Sequence, residues 1–378
     1  MSRHARARRP RGRSRVGERF TVTVGPVAHG GFCVARVGEE AGSRVVFTRH
    51  ALPGERVVVE ITEGTEGDRF WRGDAVEVLE PSPGRVAAPC PVARPGGCGG
   101  CDFQHVAVPV QRELKAAVVR EQLTRLAGLD LPVVVEPVAG DEDGLRWRTR
   151  VRYAETPDGR RGMRAHRSHL VIPVDDCLIA RTDAREPGPG DVVEQVSTSY
   201  GDRSFVVAAD GFWQVHPGAP RVLVEAVLDV LTPRPGERAL DLYAGVGLFA
   251  SYLSGLVGSD GAVVAVEGDP TAAAHARLNL AGVEQARVVA APVLPALQDL
   301  DEPVDLVVLD PPREGARRPV VEQVARLRPR AVAYVACDPA ALARDVAIFA
   351  EHGYRLEGLR AFDLFPMTHH VECVAVLA

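Results

Sequence analysis

Four short apolar runs, at residues 238–243, 262–267, 304–309 and 331–336, recur through the C-terminal part of the chain, with helix-like stretches between them. Strands that alternate with helices need crossover connections, and the compact solution is a mostly parallel sheet covered by helices on both faces. Residues 209–378 are therefore expected to form a Rossmann-like, doubly wound α/β domain. Such sheets bind ligands beyond the carboxyl ends of their strands. The residues at those ends are Tyr243, Glu267, Asp310 and Cys337.

The N-terminal part has a different period. Residues 17–80 alternate β-rich runs (20–24, 45–48, 56–61 and 74–79) with turns such as Gly30-Gly31 and Pro53-Gly54. Short strands at this spacing predict a small barrel of the oligonucleotide-binding type. Phe32, Phe47, Phe70 and Trp71 are its candidates for stacking on bases, with core packing as the competing use of each. A cysteine-rich stretch, 81–105, precedes a helix expected within 106–132, where Leu114, Val118, Leu123 and Leu126 recur at helical spacing. Residues 133–208 are again β-rich and carry dense positive charge at 146–152 (RWRTRVR). Arginines alternating along a strand can track phosphates, and a solvated face is the plainer use of them. The expected plan is a small central domain from 81–105 and 133–208, with the 106–132 helix packed on the catalytic domain.

Composition narrows the setting. No apolar run approaches the roughly 20 residues of a membrane-spanning helix. The first fifteen residues hold seven arginines and no acid, without the apolar core of a secretory signal. A cytoplasmic monomer with a basic, disordered tail over residues 1–16 is expected. The tail either contacts nucleic acid or stays solvated. The formal net charge of −5 means that any RNA-binding surface is local rather than a field of the whole molecule. Lys115 is the only lysine, a usage that looks like codon bias. Seven cysteines, an odd number, argue against a disulfide framework and favour metal binding or catalysis.

Residues 241–250 (DLYAGVGLFA) follow a strand and open a helix, so Gly245 and Gly247 let the backbone approach a ligand at a helix N-terminus. Glu267 ends the next strand, where an acid can hold ribose hydroxyls. The glycines also satisfy G-x-G-x-x-A, which leaves a nicotinamide dinucleotide open. Asp241 at the head of the turn and Asp310-Pro311-Pro312-Arg313 after a later strand match the pattern of S-adenosylmethionine enzymes. Asp-Pro-Pro followed by an aromatic residue is a mark of amino-group methyltransferases, and Arg313 stands in the aromatic position.

Cys337 closes the strand-like run 331–336 on the same sheet edge. Carbon 5 of uracil is a poor nucleophile, and a thiolate adding at C6 makes C5 carbanion-like. The C5 proton must then be removed by a positioned base, for which Glu372 is the candidate. The motifs GFWQV (211–215), DLYAGVGLF, VEGD, DPPREGA, ACDPAALARD and FPMTHHVE, in that order, resemble the RNA 5-methyluridine methyltransferases. Residues 17–79 look like the TRAM domain of that family, and the cysteine-rich stretch looks like its iron-sulfur segment.

The resemblance implies that Gln214, Tyr243, Gly245, Glu267 and Asp310 bind S-adenosylmethionine, that Cys337 is the nucleophile and that Glu372 is the base. It implies support of Glu372 by His370, for which a structural role competes, and it leaves a donor contact open at Leu248, where relatives carry a polar residue. Cys90, Cys98, Cys101 and Cys177 are four soft ligands of the kind that hold a [4Fe-4S] cluster, the leading assignment under the resemblance, with structural zinc as the alternative. The gap between Cys90 and Cys98 is seven residues, longer than the resemblance implies, and the loop PVARPGG spans it. Cys33 and Cys373 read as core.

The expected activity is methylation of uracil C5 in a flipped-out or single-stranded uridine, in ribosomal RNA ahead of transfer RNA. An amino-methyltransferase of nucleic acid and a non-catalytic, RNA-binding iron-sulfur protein are the competing readings.

Overall fold

The computed structural model describes residues 12–38 and 43–378. Most of the expected basic tail, residues 1–11, lies outside the described residues. In chain order the first strands are β1 (Arg19–Thr23), β2 (Val27–Ala28), β3 (Phe32–Val37), β4 (Arg44–Arg49), β5 (Arg56–Glu63) and β6 (Phe70–Glu80), followed by helix α1 (Val108–Gln122). Strands β7 (Val135–Pro137), β8 (Arg148–Arg150), β9 (Ala154–Glu155), β10 (Arg161–Arg164), β11 (Val171–Pro173) and β12 (Ala180–Arg185) lead to the hairpin β13 (Asp191–Thr198) and β14 (Gly201–Ala208). Then come α2 (Ala219–Leu231), β15 (Arg238–Leu242), α3 (Leu248–Val257), β16 (Ala262–Glu267), α4 (Pro270–Asn279), β17 (Ala286–Ala290) and α5 (Val293–Gln298). The chain closes with β18 (Leu306–Leu309), α6 (Arg317–Arg326), β19 (Ala331–Ala336), α7 (Pro339–Glu351), β20 (Leu356–Asp363) and β21 (Glu372–Leu377).

The chain divides into two compact units, which differ from the expected boundaries. The first holds residues up to Leu114, Tyr153–Cys177 and Met367–His369; the second holds Lys115–Arg152, Leu178–Pro366 and His370–Ala378. Residues 133–152 and 178–208, read from sequence as central domain, thus fall in the unit that holds the C-terminal strands. Helix α1 crosses the division.

In the first unit the strands order β1-β5-β6-β4-β3-β2 in one sheet. Along β5 every second residue, Val57, Val59 and Ile61, is buried, the period-two pattern of a strand with one face on a core. Trp71 belongs to that core, its Nε1 donating to the Thr65 carbonyl at 2.8 Å. Phe70 is exposed, and Phe32, Phe47 and Phe70 form a row of edge-to-face contacts at 6.1 and 5.2 Å between centroids. Of the four candidate stacking residues, Trp71 is the one committed to packing. In the same unit Met367–His369 is held to the cysteine-rich stretch: Asp102 and Phe103 N–H both donate to the Met367 carbonyl at 3.0 Å, and His369 Nδ1 lies 2.6 Å from Asp102 Oδ2.

The second unit is built on an eight-stranded sheet of order β17-β16-β15-β18-β19-β21-β20-β7. Strands β17, β16, β15, β18 and β19 run parallel, and β18 and β19 are buried along their whole length, as expected for strands covered on both faces. Strand β21 then enters antiparallel beside β19, and β20 pairs with it. Four parallel strands were legible in the sequence. The antiparallel pair was not, and it brings the C-terminal segment beside β19, the strand that Cys337 follows.

Candidate active site

The strand ends expected to share one edge do so. Strand β15 delivers Asp241, whose Oδ2 accepts the Ala250 N–H at 2.8 Å and so fixes the first turn of α3. Its Oδ1 is buried and has no hydrogen-bond partner among the described residues. Burial, then the charges of Asp310 and Glu267, push its carboxyl up to about 7. Tyr243 follows in a left-handed conformation (φ 63°), which is costly for a residue with a Cβ and is held by the surrounding loop. Gly245 (φ 55°) and Gly247 (φ 87°) complete the turn, and a Cβ at Gly245 would meet nothing within 4 Å. This turn therefore presents open backbone and an unpartnered carboxylate oxygen, features suited to a ligand lying close to it.

Glu267 ties two loops together. Its Oε2 accepts the Gly245 N–H at 2.8 Å and its Oε1 accepts the Asp269 N–H at 2.7 Å, which leaves one lone-pair direction on each oxygen. Asp269 in turn caps α4 through Ala272 N–H at 2.8 Å. Asn279, at the end of α4, donates to the Val246 carbonyl at 2.9 Å and pairs with both backbone groups of Val206, so the far side of the glycine turn is also fixed. No motif reading singled out Asn279. Leu248 is buried, so this position contributes packing rather than a polar contact.

Gln214 lies in the segment before α2, where Thr149 binds the next residue: its N–H and Oγ1 both donate to the Val215 carbonyl, at 2.8 and 3.1 Å. Phe212, two residues earlier, is 70% exposed, a large aromatic left in solvent beside this segment.

The loop 310–316 (DPPREGA) is held by a residue from α7. Asp345 Oδ2 accepts from Tyr334 Oη at 2.6 Å, Ala316 N–H at 2.7 Å and Arg317 N–H at 3.1 Å. A Cβ on Gly315 (φ 79°) would come within 2.6 Å of that oxygen, so the glycine is required both by its backbone and by the approach. The sequence signal for Asp345 was present, since it ends the motif ACDPAALARD, but its role is set by tertiary contact.

Cys337 follows β19 directly, and Asp338 caps α7 by accepting the Ala341 N–H at 2.8 Å. The antiparallel register of β19 and β21 pairs Ala336 with Cys373, so Cys337, just past β19, and Glu372, the first residue of β21, lie at the same end of this strand pair. Burial, then the charges of Glu372 and Asp310, push the Cys337 thiol up to about 12, with Arg313 pulling it down. Glu372 is nearly fully buried, and burial with the Asp310 charge holds its carboxyl well above the carboxylate range. Asp310 itself is pushed up to about 7 by burial and Glu267. The edge thus gathers a thiol and several carboxyls that resist ionising together, the pattern of a site whose protons are placed for chemistry. His370 Nε2 lies 3.3 Å from Arg313.

The four candidate metal ligands all belong to the first unit. Burial pushes the Cys98 and Cys101 thiols up, and the charges of Cys177 and Cys90 act on both in the same direction, so the four sulfurs share a neighbourhood. Gly100 N–H and Gln104 Nε2 donate to the sulfurs of Cys98 and Cys101, each at 3.4 Å. Among the described residues no group of three or more His, Cys, Asp or Glu side chains is drawn together as a metal site. The donor set fits a soft metal centre in chemistry. Cys33 and Cys373 are buried core. No described helix is long and apolar enough to cross a membrane.

The fold and this edge define a methyltransferase-type α/β domain joined to an N-terminal β-sheet unit. Over 95% of this chain the structure is similar to the Pyrococcus abyssi tRNA (uracil-54, C5)-methyltransferase solved with S-adenosyl-L-homocysteine, with a TM-score of 0.68, 20% identity and all of that chain covered, a likeness of fold. The TRAM domain family matches residues 13–76, and the family described as tRNA (Uracil-5-)-methyltransferase matches residues 296–378. A Streptomyces coelicolor protein named as an uncharacterized RNA methyltransferase is 46% identical over 96% of this chain and 93% of its own length. One from Bifidobacterium longum with the same description is 36% identical over 94% and 95%. The chain belongs to the RNA methyltransferases, a family of enzymes.

Proposed function

We propose that the enzyme transfers the methyl group of S-adenosylmethionine to C5 of a uridine in RNA through a covalent adduct between Cys337 and C6. Gln214, Tyr243, Gly245, Glu267 and Asp310 hold the donor. The observation that carries the reading is that the Ala336–Cys373 pair brings Cys337 and Glu372 to one end of β19 and β21 at the carboxyl edge of the sheet, where the Glu372 charge acts on the thiol.

The electrostatics suggest how protons are ordered. Burial, then the charges of Glu372 and Asp310, hold the Cys337 thiol protonated at rest, and burial with the Asp310 charge holds Glu372 protonated, so both enter the reaction neutral. With Glu372 neutral, the Cys337 thiol gives its proton to water, which returns one when the sulfur later leaves, and the thiolate adds to C6 with its charge moving into the ring as a C5 carbanion. S-adenosylmethionine supplies the methyl group to C5, which removes that charge and lets Glu372 release its proton to water. The Glu372 carboxylate then takes the C5 proton, the C5=C6 bond re-forms and the thiolate leaves.

Cys90, Cys98, Cys101 and Cys177 are proposed to hold a [4Fe-4S] cluster, with structural zinc as the alternative that metal analysis and the visible and electron paramagnetic resonance spectra separate. The reaction needs no redox step, so the cluster is assigned to folding or RNA docking. The substrate read from the domain content is ribosomal RNA ahead of transfer RNA.

The deciding experiment supplies labelled S-adenosylmethionine with separated ribosomal and transfer RNA lacking 5-methyluridine and identifies the product nucleoside by mass spectrometry. Label in 5-methyluridine from one fraction supports the chemistry and selects the substrate. Label in a methylated amine overturns the uracil reading.

A further inference from the structure

One of the 45 lysine and arginine residues is a lysine, and it is buried. Lys115 sits on α1 with its Nζ 2.5 Å from Asp363 Oδ1 and 3.0 Å from the Phe365 carbonyl, both partners lying where β20 runs into the segment that leads to Glu372. A compact ammonium fits there and a planar guanidinium is larger, a physical reason for lysine at this one place.

Three buried polar atoms around this pair have no partner among the described residues: Asp363 Oδ2, His216 Nε2 and Trp147 Nε1. All three residues are more than nine-tenths buried. The rings of Trp147 and His216 stack with centroids 6.0 Å apart, and the Phe365 ring meets Trp147 edge-on at 6.0 Å. Burial pulls the His216 imidazole down to about 4, against the Asp363 charge, so the ring is neutral at physiological pH. His216 Nδ1 accepts the Gly218 N–H at 3.1 Å, which assigns the ring proton to Nε2. The cluster therefore offers two N–H donors and one carboxylate acceptor. A cation is disfavoured by both donors and by Lys115, and an anion by Asp363. Water can accept twice and donate to the carboxylate, and buried waters typically make about three such bonds.

We propose that one internal water joins Trp147 Nε1, His216 Nε2 and Asp363 Oδ2, and that Lys115, Asp363, His216 and Trp147 form a buried polar hub that positions the donor-binding Gln214 segment and the start of the segment bearing Glu372. His216 is two residues beyond Gln214, and Trp147 is two before Thr149, which binds the Val215 carbonyl from the other side. The Lys115 bond to the Phe365 carbonyl fixes the second segment. These are positioning residues, and the part of the inference that concerns Gln214 rests on the function proposed above.

Two measurements on the full chain test it. A high-resolution crystal structure is expected to show water density within hydrogen-bonding distance of all three atoms; direct bonds among them, with no water, overturn the site. His216→Gln and His216→Leu are then compared for S-adenosylmethionine binding by calorimetry. The glutamine keeps an N–H for the water and is expected to bind the donor about fivefold more tightly than the leucine variant, the size of one hydrogen bond. Equal affinities in two folded variants overturn the positioning role. Should the wild type bind no S-adenosylmethionine, the functional reading fails, while the density still decides the hub.

Discussion

Cys337 and Glu372 meet at the carboxyl edge of the sheet, each adjacent in sequence to a member of the Ala336–Cys373 pair that joins β19 to β21. Cys337 follows Ala336 and Glu372 precedes Cys373, so the register carries both to one end of the strand pair. The Glu372 charge acts on the Cys337 thiol, which puts the two side chains in one neighbourhood, as attack at one ring carbon and proton removal at its neighbour require. The two residues are far apart in sequence, and an antiparallel strand beside the last parallel one is what joins them.

If the two act in sequence, removing each has a different consequence. Glu372→Gln is expected to accumulate a protein–RNA species that survives denaturing electrophoresis, because the methylated adduct forms and cannot shed its C5 proton. Cys337→Ala forms none and methylates nothing. Methyl transfer by Cys337→Ala would remove the covalent mechanism and favour an amino-methyltransferase.

The raised Cys337 thiol sets a pH dependence. Its pKa near 12 keeps it protonated in the free enzyme at neutral pH, and only the thiolate is alkylated. Alkylation of the Cys337 peptide by iodoacetamide, followed by mass spectrometry, should therefore rise about tenfold per pH unit across pH 7 to 9 without reaching a plateau. A plateau near pH 7 would show a thiolate already formed and would contradict a thiol held protonated by burial and by the Glu372 and Asp310 charges.

Asp345 is expected to matter although it lies off the reacting edge. Its Oδ2 takes three hydrogen bonds that shape the loop 310–316 carrying Asp310 and Arg313. Asp345→Asn leaves an amide that cannot satisfy all three donors if its NH2 turns inward, and a buried donor left unmade costs about 1–3 kcal/mol. The variant should melt at a lower temperature and lose kcat beyond what its folded fraction explains. Unchanged kcat in a destabilised variant would assign Asp345 to stability alone.

Much of this site could be read along the chain because it is built from local devices. A glycine turn after a strand, an acid at the next strand end and a cysteine at another are each dictated by neighbours in sequence, and all lie on one edge because parallel strands share a direction. Other features follow from distant contacts. Glu372 reaches its place through strand order, Asp345 through α7 packing beneath a loop, and Lys115 through a partner 248 positions away, which a single sequence does not reveal. The domain boundaries were obscured for the same reason: Met367–His369 belongs to the first unit although the residues on either side of it belong to the second.

Asp241 carries a cost that pH should expose. Its carboxyl has an ordinary value of 3.8 and is pushed up to about 7 by burial and by Asp310 and Glu267. The folded state thus holds a proton that the unfolded chain releases between these values, so this residue's contribution to stability is present at low pH and lost as pH rises through about 7. Asp241→Asn keeps an oxygen to accept the Ala250 N–H and removes the charge. The variant should match the wild type or fall below it near pH 4 and exceed it above pH 7, by a shift of about 2–4 °C for each kcal/mol relieved. Melting curves of both proteins from pH 4 to 8 measure the difference directly, which cancels the titration of groups common to both. A difference that stays constant with pH would mean that Asp241 is already ionised at low pH and that its unpartnered Oδ1 is stabilised in a way the buried edge does not supply.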